Sequence, residues 1–262
     1  MLYLSAKQLS NTGDQQITME RAAGLARIGD RILSLMAGLL ALLVICYGGY
    51  SIYDDWLIEN QSTSSDLMKY KPNSGSSMSL AELIAINPDV IGWIEIDDTR
   101  IDQPLTQSKK DDLEYVNKNP LGEFSVGGSC FLSVQNHGDL SDPYNLTYGH
   151  HLDNGGMYGD VSEFLEDSYF ESHQTGKLYT LDKEWTIEVF AIVKANPDNA
   201  AIYSPGQYNE TGVGSLDAFL RENSTHYRDI GIQTTDQIIS LSTCYNSDTN
   251  GRAILFGRMV QN

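Results

Sequence analysis

Ile238-Ile239-Ser240-Leu241-Ser242-Thr243-Cys244 and, after a polar loop, Arg252-Ala253-Ile254-Leu255-Phe256-Gly257-Arg258-Met259 are the stretch from which the fold is read. Both arms are β-prone, and residues 245–251 between them are a polar loop ending in Gly, so the pattern predicts strand, loop, strand. Cys244 closes the first arm and Arg252 opens the second. A thiol and a guanidinium are therefore expected at the two lips of one loop. Each strand residue advances about 3.3 Å, so Arg252 is expected beside Cys244 while Arg258, on the same face, falls roughly 20 Å further along.

A cysteine nucleophile needs a base from elsewhere in the chain. The run Tyr144-Asn145-Leu146-Thr147-Tyr148-Gly149-His150-His151, followed by Asp153-Asn154-Gly155-Gly156, offers an imidazole where a strand gives way to a loop. Functional side chains commonly project from such places. An imidazolium beside a thiol lowers its pKa from about 8.5, so a Cys/His pair can hold a thiolate that attacks a carbonyl. A permanently charged, forked guanidinium suits a developing oxyanion or a substrate main chain.

Working outward, six more segments carry strand signals: residues 91–96, 101–105, 129–134, 144–149, 177–181 and 185–194. Each is β-branched or aromatic-rich and bounded by Gly, Pro, Asn or Asp. With the two C-terminal arms they make about eight strands, a count that favours a closed barrel over an open sheet. Ser79-Leu80-Ala81-Glu82 has the spacing of a capping box ahead of a helix stopped at Asn87-Pro88-Asp89. Residues 157–170 place Val161, Phe164, Leu165 and Tyr169 on one helical stripe, and residues 215–223, after a Ser cap, do the same with Leu216, Phe219 and Leu220.

Residues 32–53 are uncharged and mostly apolar. At 1.5 Å per residue they reach about 33 Å, enough to cross a bilayer core. Arg27 and Arg31 precede this segment and Asp54, Asp55 and Glu59 follow it, which orients a cytoplasmic N-terminus. The expected organisation is a tail over 1–31, a transmembrane helix over 32–53, a polar extracytoplasmic spacer over 54–78 and a catalytic domain over 79–262. Met19 would serve equally well as a start, placing the arginines nearer the terminus.

The chain carries a net charge of −18. The first 31 residues hold four Lys/Arg against three Asp/Glu, so the acidity belongs to residues 32–262. Such a surface repels nucleic acid and anionic lipid. No Gly-rich phosphate loop or acidic calcium loop is present in the sequence, so it points to no cofactor. Of the three cysteines, Cys46 lies in the apolar span, Cys130 sits in Ser129-Cys130-Phe131-Leu132 and reads as a small buried hydrophobe, and Cys244 borders a polar loop. A Cys130–Cys244 disulfide is the competing reading of Cys244.

The Tyr148-Gly149-His150 run, the Leu241-Ser242-Thr243-Cys244 run and Arg252 at the start of the last strand together resemble the sortases, membrane-anchored cysteine transpeptidases of Gram-positive bacteria. Class B is indicated by Ala85-Ile86-Asn87-Pro88-Asp89-Val90-Ile91-Gly92-Trp93-Ile94, by Thr99-Arg100-Ile101-Asp102-Gln103-Pro104, by Gly156-Met157-Tyr158-Gly159 and by the helix before the cysteine strand. The similarity extends over residues 79–260. Ser240 stands where the family usually has Thr, and His151 adds a second imidazole. Adjacent strand residues face opposite ways, and His150 directly follows Tyr148-Gly149, so His151 is expected as a solvent-facing neighbour.

The resemblance implies a mainly β protein, a closed eight-stranded sortase-type barrel with an N-terminal helix and two helical insertions. It implies Cys244 as nucleophile, His150 as acid and base, and Arg252 as electrostatic stabiliser, with Thr243 and Tyr245 beside the substrate and residues 196–236 shaping its groove. The first substrate would be a secreted protein with a C-terminal sorting signal, cleaved after Thr. The acceptor would be an amine of a peptidoglycan precursor, for cell-wall anchoring, or alternatively a pilin lysine. Two readings from other classes stand beside this one: a metallohydrolase site from His137, His150, His151 and Cys244, and a membrane-tethered binding domain without catalysis.

Overall fold

The structure is a computed structural model that describes residues 2–62, 65–73, 79–152, 155–244 and 251–262. It divides into two units, residues 1–56 and 57–262. The first is helical: α1 (Leu2–Ser62) begins there and contains, over Arg21–Tyr53, a stretch long and apolar enough to cross a membrane. The helix continues through the charged flanks on either side of the expected span.

In the second unit, α2 (Ser65–Met68) and α3 (Leu80–Ile86) precede β1 (Val90–Ile96) and β2 (Asp102–Thr106), which are followed by β3 (Cys130–Leu132) and β4 (Tyr144–Tyr148). Next come α4 (Asp167–Ser172), β5 (Thr175–Tyr179), β6 (Glu184–Ala195), α5 (Ala200–Tyr203), α6 (Gly214–Asn223), β7 (His226–Tyr227), β8 (Gln237–Cys244) and β9 (Arg252–Gln261). The order around the sheet is β5-β1-β2-β3-β4-β8-β9-β6, and β6 pairs back onto β5 to close an eight-stranded barrel. All eight expected strands are members. Closure leaves no open edge in the ring, the usual liability of a sheet. The two-residue β7, which alternation in the sequence does not betray, lies on the outside of β6.

Two pairings in the ring are parallel, β2 with β3 and β4 with β8. The second decides where the chemistry can sit. Parallel neighbours end at the same rim, so the C-terminal ends of β4 and β8 lie side by side.

Inside the ring, Ile94, Leu105, Leu132, Leu178, Ile187, Ile239, Leu241 and Leu255 are fully buried. A second apolar layer packs Leu216 and Leu220 of α6 against Phe190, Ile254 and Phe256 on the outer face of the sheet. Each such side chain contributes about 1.5–3 kcal/mol when removed from water.

The N-terminal helix follows its sequence signal: the Glu82 carboxylate accepts a hydrogen bond from the Ser79 main-chain N–H at 2.7 Å. Other elements differ from expectation. The helix expected over 157–170 is two pieces, a 3-10 turn at Gly159–Leu165 and α4, because Glu166 between them is extended, with φ −86° and ψ 128°. The 3-10 turn still buries Val161 and Phe164, since residues three apart share a face at three residues per turn. Helix α6 starts at Gly214 with Val213 as its cap and no side-chain capping bond, so Ser215 is inside the helix.

Part of the polar spacer is built into the domain. Leu67 and Tyr70 are buried with Leu80, Leu83, Val90, Trp93 and Tyr179. Lys71 bridges Glu95 and Asp102, and Asp102 also accepts a hydrogen bond from the Trp93 indole at 2.7 Å. Residues 67–71 thus form a strap along β1 and β2.

Candidate active site

The site is set first by backbone register. Along the parallel β4–β8 pair, Tyr148 lies opposite Ser242, and the Gly149 N–H donates to the Ser242 carbonyl at 3.1 Å. Two residues further on, the first strand reaches His150 and the second reaches Cys244. Across the antiparallel β8–β9 pair, Cys244 is the register partner of Arg252. Three positions far apart in sequence therefore meet at one barrel rim.

Gly149 is required between the tyrosine and the histidine. A Cβ there would stand 2.7 Å from the Tyr158 ring and 3.1 Å from the Cys130 sulfur, both fully buried. The Cys130 thiol is free, and burial pushes its pKa far above the usual thiol value. Cys130 is the buried apolar filler its flanks suggested, and the Cys244 side chain of the Cys130–Cys244 disulfide reading lies outside the described residues.

His150 is half-buried and its Nε2 lies 2.9 Å from the Val116 carbonyl oxygen. A carbonyl only accepts, so Nε2 carries the proton and Nδ1 is the nitrogen left for other work. His151 is partly open to solvent at a cleft apart from this rim. It is half-buried, its Nδ1 lies 3.3 Å from Ser162 Oγ, and it lines a separate cleft with Asp98, Arg100 and Glu163. His137 is elsewhere again, its Nδ1 2.7 Å from Asp142 Oδ1, a contact that raises its pKa. The histidines of the metallohydrolase reading thus have separate partners, and no three His, Cys, Asp or Glu side chains gather as a ligand set among the described residues.

His150 and Arg252 line one groove of about 470 Å³ with Ser242, Asp112, Leu113, Val116, Phe131, Tyr148, Pro197 and Tyr203. Its wall is aromatic: Tyr148 stacks on Tyr203 at 6.3 Å between centroids and tilts against Phe131 at 5.3 Å. The Tyr203 hydroxyl and Ser242 Oγ are 3.1 Å apart, tying the wall to β8. Burial drives the Tyr148 phenol far above its ordinary pKa, the Asp112 charge adds to this and the Arg252 charge opposes it. Arg258, by contrast, is engaged on the far part of β9, donating to Glu188 Oε2 at 2.7 Å and to the Ile230 carbonyl at 3.3 Å.

Thr243 is buried, and its hydroxyl finds no hydrogen-bond partner among the described residues. Tyr245, the other expected substrate neighbour, and the Cys244 side chain lie outside what the structure describes.

No protein-family model matches the chain. Among solved structures, a class B sortase of Streptococcus pyogenes involved in pilus biogenesis is 30% identical, with a TM-score of 0.64 over 69% of this chain and 97% of that one. Sortase B from the type II pilus of Streptococcus pneumoniae is 31% identical, with a TM-score of 0.57 over 71% of this chain and 99% of that one. The chain belongs to the class B sortases. Sortase B of Listeria monocytogenes is a further relative, 28% identical over 186 residues that cover 69% of this chain and 74% of that protein. As a class B sortase, the protein is an enzyme, a cysteine transpeptidase.

Several groove residues of this sortase escape a reading of sequence. Val116 acts through its carbonyl, which every residue possesses. Asp112 is one of two adjacent aspartates in a polar stretch and nothing in the sequence singles it out. Tyr203 sits in the segment 196–236 expected to shape the groove, but its stack on Tyr148 exists only once β4 is folded.

Proposed function

We propose that Cys244, His150 and Arg252 carry out a two-step transpeptidation at the barrel rim. The Cys244 thiolate attacks the carbonyl of a Thr in a C-terminal sorting signal. Arg252 stabilises the negative charge that develops on that oxygen. As the peptide bond breaks, His150 as imidazolium protonates the departing amine, leaving a thioester on Cys244. An incoming amine, deprotonated by His150, then displaces the thiolate and the new amide leaves. The main chain at Thr243 and Tyr245, on either side of Cys244, flanks the acyl group.

The observation that carries this reading is the shared register of β4, β8 and β9, which brings positions 150, 244 and 252 to one end of the ring. Alternation adds that position 244 falls on the face of Ser242, which lines the groove. The acceptor we assign is an amine of a peptidoglycan precursor, so that the product is a wall-anchored protein. A second reading, polymerisation of pilin through a lysine amine, is favoured by the two pilus-associated sortases at 30% and 31% identity. In either case α1 spans the cell membrane with its N-terminus in the cytoplasm, and the domain from residue 79 onward is extracytoplasmic. The basic residues before the apolar segment and the acidic ones after it support that orientation.

The test uses full-length enzyme in detergent micelles, a library of sorting-signal peptides, and two amines, a peptidoglycan cross-bridge peptide and a pilin segment bearing lysine. Intact mass should reveal an acyl adduct on the parent enzyme and none on Cys244→Ala. The amine consumed faster identifies the acceptor. Cleavage that persists in Cys244→Ala would remove the reading, and a parent enzyme that binds the peptides without cleaving any of them would support the non-catalytic alternative.

A further inference from the structure

The groove that His150 and Arg252 share is asymmetric in charge. Arg252 lies at its β9 side, and Asp112, in the connection between β2 and β3, supplies the carboxylate among the described lining residues. The Asp112 carboxylate is held in place by two donors, the Val134 N–H to Oδ1 at 2.7 Å and the Ser133 hydroxyl to Oδ2 at 3.0 Å. An ionised carboxylate accepts about four hydrogen bonds, so capacity remains on both oxygens. Its charge reaches the groove, because it is one of the groups that raise the pKa of Tyr148 in the wall. The rings of Phe131, Tyr148 and Tyr203 line the same groove.

A fixed carboxylate next to aromatic faces is complementary to one kind of side chain. A lysine or arginine lays its apolar stem along rings and places its charge against both their π-faces and the acid. A carboxylate side chain at the same place would meet Asp112 as a like charge, and an apolar one would strip water from a carboxylate left with only its hydrogen bonds from Val134 and Ser133. We infer that Asp112 makes this sortase selective for sorting signals with a cationic side chain in the segment that occupies the groove. The inference rests on the proposed use of the groove by the sorting peptide and adds a determinant of which peptide it takes.

The experiment scans charge on both partners. Full-length enzyme in micelles is given peptides in which each of the three positions before the Thr carries in turn Lys, norleucine or Glu. For the parent, kcat/KM should favour Lys over norleucine by about tenfold at one position, with Glu poorer still, as a desolvated pair with aromatic support warrants. Asp112→Asn should erase the preference at that position, and Asp112→Lys should invert it toward Glu. A parent enzyme that cleaves all three series equally overturns the inference, without any reliance on a variant folding. So does an Asp112→Asn enzyme that slows on every peptide alike, which would make Asp112 a support for the loop, or one altered only in the KM of the acceptor amine. Binding of the same peptides, fluorescently labelled, to the Cys244→Ala protein reads the charge preference independently of turnover. Binding that discriminates while cleavage fails separates a failure of the catalytic reading from a failure of this one.

Discussion

The Val116 carbonyl oxygen lies 2.9 Å from His150 Nε2 and sets which face of the imidazole is available. The 3-10 turn Glu114–Asn117 that carries this carbonyl is itself braced by ion pairs from Glu114 to Lys110 and Lys118. A loop turn between β2 and β3 thus orients a ring attached to β4.

From that orientation, His150→Ala should lower kcat/KM by about 10²–10⁴, the range expected for loss of a general acid and base. His151→Ala, which gives up Ser162 and a different cleft, should keep most of the activity. Steady-state kinetics on one sorting peptide decides between them, and the reverse ranking would transfer the catalytic role to His151.

The two arginines of β9 should separate activity from stability. Arg252→Ala is expected to cost about 10²–10³ in kcat, the scale of a lost oxyanion donor. Arg258→Ala removes the bond to Glu188 and should lower stability by about 1 kcal/mol while leaving kcat near that of the parent. Thermal melts and kinetics on both variants give the comparison; a catalytic defect in Arg258→Ala with normal Arg252→Ala would reverse the assignment.

Gly149→Ala should destabilise the domain by about 1–3 kcal/mol, because the added methyl meets a filled core. Its nearest neighbours, the Tyr158 ring at 2.7 Å and the Cys130 sulfur at 3.1 Å, leave it no room. Urea denaturation measures the loss. The double variant Gly149→Ala/Cys130→Ala should recover part of it, and no recovery would locate the strain in the backbone instead.

Acid should loosen the turn that holds His150. Hydrogen bonds from Lys118 and Ser108 hold the Glu114 carboxyl down to about 2, below its ordinary 4.5. A carboxyl whose native pKa is depressed contributes fully above the unfolded value and loses that contribution as pH falls toward the native one. The urea midpoint of the parent should therefore drop between about pH 4.5 and 2 more steeply than that of Glu114→Gln. Parallel acid profiles for the two proteins would show that Glu114 has no part in the decline.

Much of the fold is written locally. Alternation and bounding residues give all eight ring strands, and the Ser79/Glu82 spacing gives the capped helix. The order in which strands neighbour one another is another matter, since the parallel approach of β4 to β8 depends on contacts about a hundred residues apart. The break at Glu166 also hides in sequence, because a 3-10 turn and an α-helix both repeat apolar residues at three-residue spacing. The strap is hidden for the opposite reason: Leu67 and Tyr70 stand in a polar stretch with too few apolar neighbours to give any period. At the site, Cys244, His150 and Arg252 are legible as residue types at strand ends, whereas Asp112 and the Val116 carbonyl become visible only through the groove they line.

The pairing of β4 with β8 also bears on the life of the chain before it is finished. The two strands are adjacent in space, yet residues 149–236 are synthesised between them, and β9 must still be made before Arg252 can join. Until then His150 and Cys244 lie on lengths of chain that are far apart in sequence. On the proposed assignment of His150, Cys244 and Arg252, reactivity toward peptides arrives late, with the final hairpin.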